Sequence, residues 1–98
     1  MAQQISATLG NVTASASSVT LMAANTARIG GTIVNESSAI CYVKFGATAS
    51  ATSYTVALGP SDYYELPISA GQSSGVYTGV IDAIWAAANG AARVTEFS

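Results

Sequence analysis

From Thr26 onward, apolar and polar residues alternate with a period of two, in short runs separated by Gly, Pro, Asn and Ser. Strands with one buried face require this rhythm, whereas an amphipathic helix repeats every 3.6 residues. In Arg28 to Asn35, Ile29, Gly31 and Ile33 share one face, and Arg28, Thr32 and Val34 share the other. The paired Gly30 and Gly31 predict a bulge or a close backbone approach. Asn35-Glu36-Ser37-Ser38 reads as a turn into Ile40 to Phe45, where Cys41, Val43 and Phe45 alternate with Ile40, Tyr42 and Lys44. Together the two runs predict a hairpin.

The pattern continues downstream. Ser53 to Leu58 places Tyr54, Val56 and Leu58 together, and Gly59-Pro60-Ser61-Asp62 has the chemistry of a tight turn. Tyr63 to Ile68 follows, with Pro67 marking a sheet edge or a strand end because it cannot donate to a ladder. Residues 80–88 fit a short amphipathic helix stopped by Gly90. The β-branched and aromatic density of Val76 to Trp85 instead favours a long strand, with Tyr77, Ile81 and Trp85 on one face and Val76, Val80 and Ile84 on the other. Asn89-Gly90 then predicts a hairpin turn into Ala92 to Phe97.

Residues 1–26 have a different texture, rich in Ala, Ser, Thr and Asn and without a charged side chain. Strand candidates there are Ser18 to Met22 and a short run at Gln4 to Thr8. The segment reads either as an extended arm that orders on a neighbour or as an edge strand with a linker. The expected fold is therefore all-β. It is a single jelly-roll-like β-sandwich of six to eight short antiparallel strands over 27–98, with an N-terminal arm and possible edge strand over 1–26.

Composition narrows the function. The chain has 98 residues, 50% of them hydrophobic, with no histidine and one cysteine. Charged residues are 8%, against about 25% in ordinary globular domains. Three cations against five carboxylates leave a net charge of -2. That is too little positive charge for a nucleic-acid stripe or an anionic membrane surface. A weakly charged surface favours burial against copies of the chain or another protein, so a homo-oligomer is expected. No basic-then-apolar leader and no apolar run of membrane-spanning length is read in the sequence. Cys41 lies in an apolar run and reads as a buried thiol, which suits synthesis in a reducing cytosol.

Candidate chemistry is sparse. Asp62 and Glu65 are close in sequence, but Asp62 sits in a turn and Glu65 shares a strand face with Tyr63, which disfavours an acid–base pair. Asp82 lies between Val80 and Ile84 on an apolar face and needs a cation, and Arg93 across the Asn89-Gly90 turn is the candidate for a structural ion pair. The hydroxyls lack a nearby base, and no nucleotide-binding or nucleophile-elbow motif occurs. No catalytic, cofactor-binding or metal-binding residues are assigned, and an enzyme is not expected. The aromatics Tyr42, Tyr54, Tyr63, Tyr64, Tyr77 and Trp85 suit core packing, protein contacts or stacking on sugar rings.

Several segments carry a resemblance. Arg28 with Ile33-Val34-Asn35-Glu36-Ser37, Tyr42-Val43-Lys44-Phe45-Gly46, Tyr54-Thr55-Val56-Ala57-Leu58, Tyr63-Tyr64-Glu65-Leu66-Pro67 and Gly79 to Trp85, ending in Arg93-Val94-Thr95-Glu96, are similar to small virion surface proteins of tailed bacteriophages, of the decoration or cement type. The likeness spans roughly residues 27–97. It implies a β-sandwich, made in the cytoplasm of a host bacterium, that sits on the outer capsid surface. There it would stabilise contacts between major capsid protein subunits, often as a trimer. On that expectation Ile5, Leu9, Tyr63 and Tyr64 are the interface candidates. The alternative is a receptor- or glycan-binding module of a phage tail or head fibre.

Overall fold

In the computed structural model, which describes residues 5–67 and 75–98, the chain is built from strands, with no helix among the described residues. They are β1 (Ala7–Thr13), β2 (Val19–Met22), β3 (Gly30–Glu36), β4 (Cys41–Phe45), β5 (Val56–Leu58), β6 (Tyr63–Glu65), β7 (Ile81–Trp85) and β8 (Ala91–Phe97). They form two four-stranded sheets, ordered β1-β8-β3-β6 and β2-β7-β4-β5, and neighbouring strands in both are antiparallel. The all-β expectation holds. Two of the strands come from residues 1–26, so 7–13 and 19–22 are built into the sheets and do not form an arm standing off them.

Alternation decides which side chains meet. Ile33 on β3 and Ala92 and Val94 on β8 face Cys41 and Val43 on β4 and Ile81, Ala83 and Trp85 on β7, and these residues belong to one buried cluster. Burial of each large side chain stabilises the fold by roughly 1.5–3 kcal/mol. Gly31 lies inside this interface. A Cβ there would come within 3.0 Å of Leu66 Cδ1 and 3.1 Å of both Met22 Cε and the Thr95 carbonyl. The glycine pair therefore marks a close approach, and the β3–β8 register runs through it without a bulge.

Both predicted hairpins are corrected. β3 and β4 lie in different sheets, as do β7 and β8, so each turn carries the chain from one sheet to the other. The cause at the first turn is Asn35, whose side chain is fully buried. Its Oδ1 accepts from Ser37 N–H (3.2 Å) and from Trp85 Nε1–H (3.1 Å). Its Nδ2 donates to the carbonyls of Ala39, Leu58 and Gly59. This arch sends Ile40 across to the second sheet. The second turn packs against the first: Asn89 Oδ1 accepts from Ser38 N–H and Oγ–H. Gly90, at φ 83, sits so near Glu36 and Ser37 that a Cβ would lie 2.5 Å from the Glu36 carbonyl.

The long strand predicted from Val76 is also shorter than expected, starting only at Ile81. The reason is Arg28, whose side chain has 0% exposure. Its Nη1 donates to the carbonyls of Tyr77 (3.0 Å) and Gly79 (2.9 Å), and its Nη2 to Ala23 (2.6 Å). Its Nε pairs with Glu96 at 2.7 Å. The Thr78 carbonyl accepts from Asn25 N–H, and the Val80 carbonyl from Tyr77 O–H. Residues 77–80 turn their carbonyls to these donors ahead of the strand, and the face assignment made for Val76 and Tyr77 fails with them. Val76 is buried in the core, and Tyr77 stacks on Phe45 at 5.0 Å.

Replacing Arg28 with leucine leaves the Glu96 carboxylate and three carbonyls without their partner. Loss of one side of such a buried pair costs about 3–5 kcal/mol. Urea denaturation of Arg28→Leu is expected to read a loss of that size, against a loss near zero for the exposed pair variant Arg93→Leu.

Candidate interaction surfaces

Because Ile33, Ala92 and Val94 point inward, their neighbours along the first sheet point out. The outer face carries Leu9 and Asn11 from β1, Arg93, Thr95 and Phe97 from β8, Thr32 and Val34 from β3, and Tyr63 and Glu65 from β6. Register aligns them in rows: Asn11, Arg93, Val34 and Tyr63 in one, Leu9, Thr95, Thr32 and Glu65 in the next. Leu9 is 77% exposed, Ile5 61% and Tyr63 60%. At one end a cleft of about 320 Å³ is lined by Ile5, Ile29, Gly30, Gly31, Glu65, Leu66 and Phe97. Its wall is apolar, with one carboxylate at the rim.

Three of the four interface candidates, Ile5, Leu9 and Tyr63, are thus exposed side chains of this region. Tyr64 is corrected. Strand alternation turns it inward, where it is half-buried and meets Phe45 edge-on at 6.3 Å. Ile29, expected to share a face with Gly31 and Ile33, precedes the first residue of β3 and is 40% exposed beside the cleft, whereas Ile33 is buried. Nothing in the local pattern distinguishes the two tyrosines, because consecutive residues of a strand necessarily face opposite ways. Phe97 joins Ile29 at the cleft only because β8 pairs with β3, which no local signal reveals.

The second sheet presents a smaller aromatic patch. Tyr42 stands opposite Ala57 and Ile84 and meets the exposed Tyr54 at 4.9 Å with rings tilted by 52°. Ile40 is 42% exposed. Lys44 directs its Nζ to Ser53 Oγ at 2.8 Å and to the Thr48 carbonyl. Trp85, considered as a sugar-stacking residue, has only 2% exposure and is a core side chain.

The Asp82–Arg93 ion pair does not form. Strands β7 and β8 occupy different sheets, so the two residues are not neighbours across a hairpin. Asp82 accepts instead from Thr20 Oγ1–H at 2.9 Å and lies opposite Lys44 in register. Arg93 pairs with Glu36 at 2.7 Å on the surface, where such a bridge contributes about 0–1 kcal/mol. The buried pair that does form, Arg28 with Glu96, was missed: Arg28 read as a strand residue sharing a face with Thr32 and Val34, and its partner is 68 residues away.

Asp62 accepts from Gly59 N–H at 2.8 Å and closes the turn, while Glu65 faces outward from β6. Among the described residues no group of three or more Cys, Asp or Glu side chains is placed to hold a metal ion. Cys41 is buried, and desolvation pushes its thiol up to about 12. No protein family, curated protein or solved structure matches the chain.

A thiol whose pKa is raised by folding stabilises the native state at neutral pH, and that contribution is lost as pH rises above its unfolded value of 9.0 toward about 12. Native Cys41 should resist alkylation at pH 8 and react at once in denaturant. Urea midpoints followed upward from pH 9 should fall more steeply for the wild type than for Cys41→Ala.

Proposed function

We propose that this protein is a non-catalytic structural protein of a bacteriophage virion, bound to the outer capsid surface, where it stabilises contacts between major capsid protein subunits. The observation that carries the reading is the outer face of the first sheet. Leu9 and Tyr63 stand exposed on its strands, and Ile5 and Ile29 stand exposed at the apolar cleft at its end, in a chain with little charge to solvate them. Such patches mark protein contacts, and aromatic residues at their centres dominate binding. The scarcity of titratable side chains suits adhesion, and many weakly bound copies gain strength through avidity.

We read the architecture as a jelly-roll sandwich. Support comes from the strand orders β1-β8-β3-β6 and β2-β7-β4-β5, from connections that repeatedly change sheet, and from one core shared by both sheets. Jelly rolls recur in capsid and lectin domains, so this architecture is compatible with the reading without identifying a partner. The likeness of residues 27–97 to decoration proteins adds support of the same kind. A second reading, a glycan-binding module of a tail or head fibre, is favoured by one observation: the Tyr42–Tyr54 pair on the opposite sheet.

Labelled antibody imaging of purified virions should place the protein on the capsid shell. Tyr63→Glu and Ile29→Asp are expected to keep the wild-type unfolding midpoint while weakening capsid binding roughly thirtyfold, the effect of a hot spot worth about 2 kcal/mol. Tail-tip labelling, together with sugar binding abolished by Tyr54→Ala, would replace the capsid reading with the fibre reading.

A further inference from the structure

A strand at the edge of a sheet presents unpaired backbone groups, and proteins blunt such edges by shortness, bulges, charge or proline. The edges here are β1 and β6 in the first sheet and β2 and β5 in the second. Three are blunted. β5 and β6 have 3 residues each, with Glu65 in β6 and Pro67 just beyond it. β2 has 4 residues and a register shift between Thr20 and Met22. β1 has none of these guards. It runs for 7 residues in unbroken register with β8, without charge or proline.

The direction of its free groups follows from the bonds at its two ends. Ser6 and Ser98 exchange both backbone hydrogen bonds, at 2.7 and 2.9 Å, and Ala14 N–H donates to the Gly90 carbonyl at 2.9 Å. Hydrogen-bonded pairs recur at every second residue of an antiparallel ladder. Thr8, Gly10 and Val12 therefore bond to β8. The N–H and C=O groups of Ala7, Leu9, Asn11 and Thr13 point into the open edge, where no described residue pairs with them.

We propose that this edge pairs with β1 of a second copy of the chain, antiparallel about a two-fold axis at Gly10. Centred there, Leu9 faces Asn11 of the second copy and Ala7 faces Thr13, so each outward donor and acceptor finds its complement. The strand fits its own reverse. No charge meets a like charge, and glycine falls on the axis, where the two backbones approach most closely. Leu9, the most exposed of the large apolar side chains, lies diagonal to Leu9 of the second copy, within reach for contact. A cleft of about 240 Å³ beside Gly10, lined also by Asn11, Arg93 and Thr95, flanks the same axis. Pairing joins two first sheets into one continuous sheet and doubles its outer face. The assembly is two-fold, in place of the trimer that the resemblance implies. It holds whatever that outer face binds, so its failure leaves the proposed function standing.

Sedimentation equilibrium of the purified protein should give twice the chain mass of 9.8 kDa. Leu9→Lys sets two cations against each other near the axis, and Asn11→Pro removes an outward N–H without breaking a bond to β8. Both variants should sediment at half the wild-type mass with an unchanged circular dichroism spectrum. Amide exchange at Leu9 and Thr13 should accelerate in the variants, while Thr8, Gly10 and Val12 keep their protection. A native monomer, a trimer, or a dimer that survives both substitutions would overturn the proposal. Of these, the monomer would leave the edge to a foreign strand.

Discussion

A guanidinium with no solvent-exposed surface has to find all its partners inside the protein, and the architecture at one end of this molecule follows from how Arg28 does so. Its acceptors come from β8 in the first sheet and from segments flanking β2 and β7 in the second. One side chain therefore holds together three parts of the chain distant in sequence. Without those acceptors its burial would cost several kcal/mol. With them, the geometry is specific, because a planar fork accepts few alternative arrangements. At the other end of β3, Asn35 does the equivalent work with a neutral group, accepting from Trp85 of the opposite sheet. Between these two polar anchors lies the apolar core.

Most strands were legible in the sequence, although β1 runs over Ala7–Thr13 where Gln4 to Thr8 was expected; their pairing was not. Alternation located β4 within Ile40 to Phe45, and the turn at Gly59 to Asp62 was read from its residues. A turn residue specifies that the chain reverses direction. It does not specify whether the next strand bonds to the last one or crosses to the other sheet. That choice was made by Asn35, whose buried bonds to Leu58 and Trp85 connect residues 23 and 50 positions apart. The same limit explains the one misassigned salt bridge and the one that was missed. Asp82 and Arg93 looked adjacent under a hairpin, whereas Arg28 and Glu96 became neighbours only once β8 paired with β3.

The interaction surface was partly legible for the same reason. Ile5 and Leu9 were named only on the expectation drawn from the resemblance, and the Tyr63-Tyr64 dipeptide guaranteed that one ring would face outward. Which ring did so depends on the face β6 turns to the core, a consequence of its pairing with β3. Phe97 and Ile29 enter the picture only through tertiary structure. What the two sheets then offer is a pair of unlike outer faces, one of mixed polarity with an apolar cleft at its end, the other bearing a tilted tyrosine pair, on a body 46 Å long and about 20 Å across.

The order of the strands also governs when the molecule can acquire its shape. Since β8 lies between β1 and β3, the earliest strand has no neighbour in its sheet until the last one has been synthesised. A growing nascent chain can therefore complete the second sheet while the first still lacks its central member. Non-local closure of this kind slows folding. It leaves β1 without its partner strand while the residues between β1 and β8 are made, and a segment so exposed benefits from the uncharged, Ser- and Thr-rich composition that residues 1–26 display.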